Sequence, residues 1–105
     1  MAVNMATLAA CERALDLAAP RNYRLSHADA LVLRARIALA RRDPATARND
    51  AESSLEIAED CEYAWAERDA CEILAQALGV LGNQTEAAGY ADRAADLSRR
   101  LTAAE

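Results

Sequence analysis

A repeat of forty residues is the feature of this sequence that most restricts its fold. Shifting the chain against itself by forty residues aligns four small or apolar positions, each present in three copies. Within a copy these positions follow one another at steps of four, three and three residues, which places them on one face of a helix. Such a period is typical of folds in which supersecondary units stack on one another. The four sets are Thr7, Ala47 and Ala87; Cys11, Ala51 and Ala91; Ala14, Ser54 and Ala94; and Leu17, Ile57 and Leu97.

The composition favours an all-α fold. Phenylalanine is absent from the 105 residues, and only three glycines and two prolines are present. Strand formers and helix breakers are therefore both scarce. A chain of this length accommodates one domain with a modest core. We predict a single all-α domain over residues 1–105, built of stacked antiparallel helical hairpins.

Capping signals divide the chain into helices. Asp43 can accept hydrogen bonds from the first turn of a helix that starts at Pro44, and Gly82 with Asn83 marks the equivalent turn forty residues later. Ser26 resembles the start of the second helix. Five helices are predicted, at about 4–19, 26–42, 44–60, 64–81 and 84–102. They form a half repeat at 1–20 and two full repeats at 26–60 and 64–102.

The recurring face predicts where helices approach one another most closely. We expect Ala87 and Ala91 to lie at such a contact, where a larger side chain would overpack the interface. Tyr63 and Trp65 lie where one hairpin passes to the next. Packing between repeats is the favoured interpretation of these two aromatics, and anchoring a partner is the alternative.

The small-residue spacing resembles that of tetratricopeptide repeats. In that family each unit is a pair of antiparallel helices with small residues at fixed places and a glycine at the turn. The earlier copy departs from this pattern at Arg42 and Ser54. The period of forty residues exceeds the 34 residues of the commonest form. Repeats of this greater length are similar to those in the helical regions of large bacterial signal-transduction transcription regulators of the MalT type. The matching positions are Leu74, Ala75, Leu78, Gly82, Ala87 and Ala94.

The resemblance implies a concave surface, lined by the first helix of each pair, that binds a protein or peptide. Asp69 and Glu72 on this surface would repel a carboxylate, which disfavours the chaperone tails that some members of the family bind. The alternative is that these positions form only a solvated face. The candidate partner-binding groove consists of Asp29, Val32, Leu33, Arg36, Asp69, Glu72, Ile73 and Gln76.

Two further functions compete with peptide binding. The chain resembles a ligand-sensing helical segment of a transcription regulator, in which a small molecule bound between helix pairs would shift their stacking. It also has the features of a self-associating scaffold, because residues 1–20 align with second helices and lack a first helix to pack against. We expect Leu8 and Leu15 to mediate this association.

Charge and cysteine content disfavour several other functions. The net charge of −5, without a basic stripe, disfavours direct nucleic-acid binding, and no apolar run is long enough for a membrane span. Three cysteines without a Cys-x-x-Cys spacing, accompanied only by His27, predict neither a metal site nor a cofactor. No nucleophile is placed to share a cleft with His27, so we expect no enzymatic activity. Reduced cysteines and the lack of a leader predict a cytoplasmic protein.

Overall fold

Five α-helices make up the computed structural model, which describes residues 5–18, without the side chains of 14–18, and residues 23–103. Each helix packs against the next one along the chain, and the second also contacts the fourth. The predicted all-α array of helical hairpins is confirmed. The helices are α1 (Met5–Ala18), α2 (Arg24–Ala40), α3 (Pro44–Asp60), α4 (Ala64–Val80) and α5 (Gln84–Ala103). None of these described helices is both long and apolar enough to cross a membrane.

Three turns of the same construction set a spacing of twenty residues between helix starts. Each places one residue in the left-handed region, with φ of 60° at Arg42, 53° at Glu62 and 92° at Gly82. The following N–H then donates to a carbonyl five residues back, at 2.8, 2.8 and 2.9 Å in the three turns. This is the Schellman arrangement that ends helices. Only one of the three turns has the glycine that the conformation favours.

The helix starts agree with the capping signals except at α2. Asp43 Oδ1 accepts a hydrogen bond from Thr46 N at 3.2 Å, and Pro44 is the first residue of α3, as predicted. The start at Ser26 was wrong, because α2 begins at Arg24 with Tyr23 before it and no side-chain cap. A cap contributes only about 1 kcal/mol, so the helix extends past the residue best suited to provide one.

The core lies between α2, α3, α4 and α5 and consists mainly of alanine and aliphatic side chains. Leu74 and Leu78 are its largest fully buried members. Ser54 is also fully buried, and its hydroxyl donates to the Ala28 carbonyl oxygen at 2.9 Å. This bond satisfies the hydroxyl at the position where the next repeat has Ala94. A smaller apolar cluster joins Ala28, Ala58 and Ala66, with Ile57 and Tyr63 packed against it.

The recurring face is buried on α3 except at Ile57, which is partly buried, and on α5 except at Ala91. Ala87 is buried as predicted, whereas Ala91 is exposed, so the expected close approach at Ala91 was wrong. Its equivalents Cys11 and Ala51 are buried. They lie on helices that are followed by α2 and α4, and within the described residues no helix follows α5. The repeat alignment therefore predicted correctly which helix face Ala91 lies on, but it did not predict whether another helix packs against that face.

Candidate partner-binding surfaces

The exposed sides of α2 and α4 form one continuous surface, because these two helices lie side by side. Six of the eight predicted groove residues lie on it. Val32 and Ile73 do not, since their side chains are 4% and 2% exposed and belong to the core. Each is one residue from an exposed position, and one residue turns a helix by about 100°. We call the remaining six the α2/α4 face: Asp29, Leu33, Arg36, Asp69, Glu72 and Gln76.

Two polar contacts hold the α2/α4 face together. Arg36 Nη2 lies 3.5 Å from Asp69 Oδ1. The Tyr63 hydroxyl donates to both carboxylate oxygens of Asp29, at 2.9 and 3.1 Å. This hydrogen bond raises the pKa of Tyr63. The aromatic residue predicted to pack between repeats therefore also links α4 to α2 through its hydroxyl.

An arginine and a tryptophan extend the α2/α4 face toward the start of α4. The Arg68 guanidinium lies 4.9 Å from the centre of the Trp65 ring and also donates two hydrogen bonds to Asp69. Trp65 is 44% exposed, and Leu33 on α2 is 43% exposed. Packing between repeats was the favoured interpretation of Trp65, and the residue is only partly covered. Trp65 and Glu72 are seven residues apart, which places both on one side of α4. This spacing could have predicted from the sequence that Trp65 lies beside the α2/α4 face.

A cavity of about 390 Å³ opens between α1, α2 and the start of α3. Its walls combine apolar side chains with two guanidinium groups and two carboxylates. Leu8, predicted for self-association, is half-buried in this wall, while the side chain of Leu15 lies outside the described residues. The lining residues are Leu8, Glu12, Arg34, Ile37, Ala38, Arg41, Asp43 and Thr46.

A second groove, of about 340 Å³, runs between α4 and α5 and adjoins the α2/α4 face. Its floor is made of small residues. Glu72 and Gln76 belong both to this groove and to the α2/α4 face. We call it the α4/α5 groove, lined by Glu72, Ala75, Gln76, Ala91, Ala94, Ala95 and Ser98.

The three thiols are free and differ in burial. Cys71 is fully buried, and burial raises its pKa to about 11. Burial also raises the pKa of Cys11, whose thiol lies 3.3 Å from the Ala30 carbonyl oxygen on α2. Cys61 is partly exposed at the end of α3. Among the described side chains, those of residues 5–13 and 23–103, no group of three or more metal-binding side chains lies close enough together to hold an ion.

Comparison with known proteins gives no family assignment. No protein-family model matches the chain, and no curated protein or solved structure matches it either. Function must therefore be inferred from the surfaces themselves.

Proposed function

We propose that the chain is a non-enzymatic protein-interaction module of tetratricopeptide type that binds a peptide on the α2/α4 face. The observation that carries this proposal is the pairing of α2 with α4. These helices are separated in sequence by α3, yet they present one shared surface tied by Arg36 with Asp69 and Tyr63 with Asp29. An array in which alternate helices line up in this way offers a partner a preformed surface.

The composition of the α2/α4 face supports a protein or peptide partner. Trp65 and Leu33 provide apolar area, and Arg36 and Arg68 provide guanidinium groups that already lie against Asp69. Tryptophan and arginine are the residue types that contribute most often to binding energy at protein interfaces. Charges of both signs favour a partner of mixed charge over nucleic acid or an anionic membrane.

Selection from a displayed peptide library tests this proposal. Peptides selected on the immobilised protein should bind Trp65→Ala and Leu33→Asp variants at least tenfold more weakly, by a difference of about 1.4 kcal/mol. Asn49→Ser, an exposed change on α3, is the matched control and should bind as the original protein does. Peptides that bind all four proteins equally would contradict the proposal.

A second candidate function is ligand sensing, as in a segment of a signal-transduction transcription regulator. The cavity between α1, α2 and α3 favours it, because its volume of about 390 Å³ falls within the range of small-molecule sites. Leu8→Trp should fill the cavity. A compound that raises the melting temperature of the original protein but not of this variant would support sensing over peptide binding.

We also propose a cytoplasmic location for the chain. The free cysteines support this location, because oxidising compartments favour disulfides.

We propose in addition that the chain self-associates through α1. The open cavity wall around Leu8 supports this self-association. Sedimentation over a wide concentration range should show dimers that Leu8→Asp or Leu15→Asp weakens, because a charge would have to be desolvated at the contact.

A further inference from the structure

The two repeats differ in which face of their first helix is covered. On α2, Ala28, Val32 and Ala35 follow at steps of four and three residues and are all buried. Their equivalents forty residues later on α4 are Arg68, Glu72 and Ala75, and each of these is partly or fully exposed. One face of α4 is therefore open where the same face of α2 is closed.

The second helices show the same difference. On α3, Ala51, Leu55 and Ala58 are buried, with exposures of 0%, 6% and 0%. On α5 the equivalent Ala91 and Ala95 are exposed, and Ser98 is partly exposed. These positions again follow at steps of four and three residues, so they form one helix face.

The helix that closes this surface in the first repeat is α4. It packs against both α2 and α3. The residues that line the α4/α5 groove are equivalent to residues that α4 covers one repeat earlier. Ala75 is equivalent to Ala35 on α2. Ala91 and Ala95 are equivalent to Ala51 and Leu55 on α3. The third copy agrees, because Cys11, the equivalent of Ala91, is buried and its thiol lies against α2.

We propose that the α4/α5 groove is the docking site for an amphipathic α-helix of a partner protein, seated as α4 is seated on α2 and α3. The proposal rests on the proposed interaction function and concerns a surface that shares Glu72 and Gln76 with the α2/α4 face but extends onto α5. It predicts that a partner helix binds across α4 and α5 while a peptide binds across α2 and α4.

Three substitutions between the repeats specify the chemistry of the partner helix. Ala95 replaces Leu55, which leaves room for a leucine-sized side chain from the partner. Glu72 replaces Val32 and makes no ion pair within the described residues, so a basic side chain opposite it would gain a charge-assisted hydrogen bond. Gln76 replaces Arg36, which forms an ion pair with Asp69 on the covering helix α4. The partner helix should therefore have a polar residue at the position equivalent to Asp69.

A second copy of this chain is a poor source for the helix. The seating face of α4 includes Ala66, Ala70 and Ile73, which are buried in its own core, and the equivalent α2 is covered by its own neighbours. Neither helix can leave its core without unfolding the protein that offers it. The partner helix is therefore not supplied by a second copy of this chain.

The test uses displayed helical peptides built on residues 63–81 of this chain, with Cys71 replaced by alanine, the other buried positions kept and the remaining positions randomised. Selection on the original protein should enrich arginine or lysine at one position. Selection on the Glu72→Arg variant should enrich aspartate or glutamate at that same position. Unchanged preferences in the two selections would overturn the proposed role of Glu72.

Fluorescence anisotropy with the selected peptides then locates the site. Ala91→Arg and Ala95→Arg should weaken binding at least tenfold, and circular dichroism should show both variants folded, because both positions are exposed. Leu33→Asp, on the far side of the α2/α4 face, should leave the affinity unchanged. Loss of binding with Leu33→Asp alone would place the peptide on the α2/α4 face and overturn the docking site without affecting the proposed function. Enrichment of no peptide, or dimers that Ala91→Arg dissociates, would also overturn it.

Discussion

Arg34 donates two hydrogen bonds to Asp50, from Nε at 2.8 Å and from Nη2 at 2.9 Å, and so ties α2 to α3. Asp50 is buried, and this contact raises the pKa of Arg34. Forty residues later the same two positions are Leu74, fully buried, and Tyr90, packed against the core. One repeat therefore fills this place with an ion pair and the next with apolar side chains.

Breaking the pair should destabilise the protein more than replacing it. Arg34→Leu leaves the Asp50 carboxylate buried without its partner and should lower the free energy of unfolding by about 1–3 kcal/mol. The double variant Arg34→Leu with Asp50→Tyr copies the second repeat and should recover most of this loss. Urea denaturation measures both.

The control is the exposed pair of Arg48 and Glu52, joined at 2.9 Å within α3. Arg48→Ala should change the free energy of unfolding by less than about 0.5 kcal/mol. If Arg34→Leu changes the free energy of unfolding as little as this control does, the ion pair of Arg34 and Asp50 is no more stabilising than an exposed pair.

The equivalent alanines of α3 and α5 should respond differently to the same enlargement. Ala51→Leu adds three carbon atoms to a fully buried position and should cost about 1–3 kcal/mol. Ala91→Leu adds them to the open α4/α5 groove and should change stability by no more than about 0.5 kcal/mol. Equal losses in denaturant titration would mean that a neighbour covers α5 as α4 covers α3.

The three left-handed turn residues form a matched series. Arg42→Gly and Glu62→Gly should each raise the free energy of unfolding by about 0.5–1 kcal/mol, because glycine removes the Cβ strain at positive φ. Gly82→Ala should lower it by about 1 kcal/mol through the backbone alone, since a Cβ there meets no atom within 4 Å. Chemical denaturation that shows no gain in either turn would contradict the turn geometry.

Alkaline pH should weaken the fold through Cys71. Burial raises its pKa from the ordinary thiol value of 9.0 to about 11 in the folded protein. Between these values the unfolded chain releases a proton that the folded protein retains, so the free energy of unfolding falls as pH rises. Below about pH 8 both states hold the proton and the effect vanishes. Cys71→Ala should show a shallower decline above pH 9, and parallel declines would place the thiol in water.

The helices were predictable because their signals are local. Pro44 after Asp43 fixed the start of α3, and the repeat carried this start forward by forty residues to α5. The exposure of Ala91 was not predictable in this way, since self-alignment treats equivalent positions alike whatever packs against them. Val32 and Ile73 were misplaced for a related reason, because the family resemblance assigns a whole helix to a surface and not one side of it.

The side-chain contacts that join α2 to its neighbouring helices could not be predicted from local sequence patterns, because they connect residues that are far apart in the sequence. Tyr63 and Asp29 are separated by 34 residues, and Arg34 and Asp50 by 16. A signal for the second pair was present in the sequence. Both charged residues stand where the next repeat has an apolar or aromatic residue, and two such changes at once indicate a compensating pair.

Amide chemical-shift mapping of the protein with a library-selected peptide tests most directly whether partners bind on the α2/α4 face. We expect the largest shifts on α2 between Asp29 and Arg36 and on α4 between Trp65 and Gln76, with the outer surface of α3 unchanged. The same titration with the Trp65→Ala variant should need at least tenfold more peptide. Shifts confined to α1, α3 or α5, with α2 and α4 unaffected, would contradict the assignment of this surface.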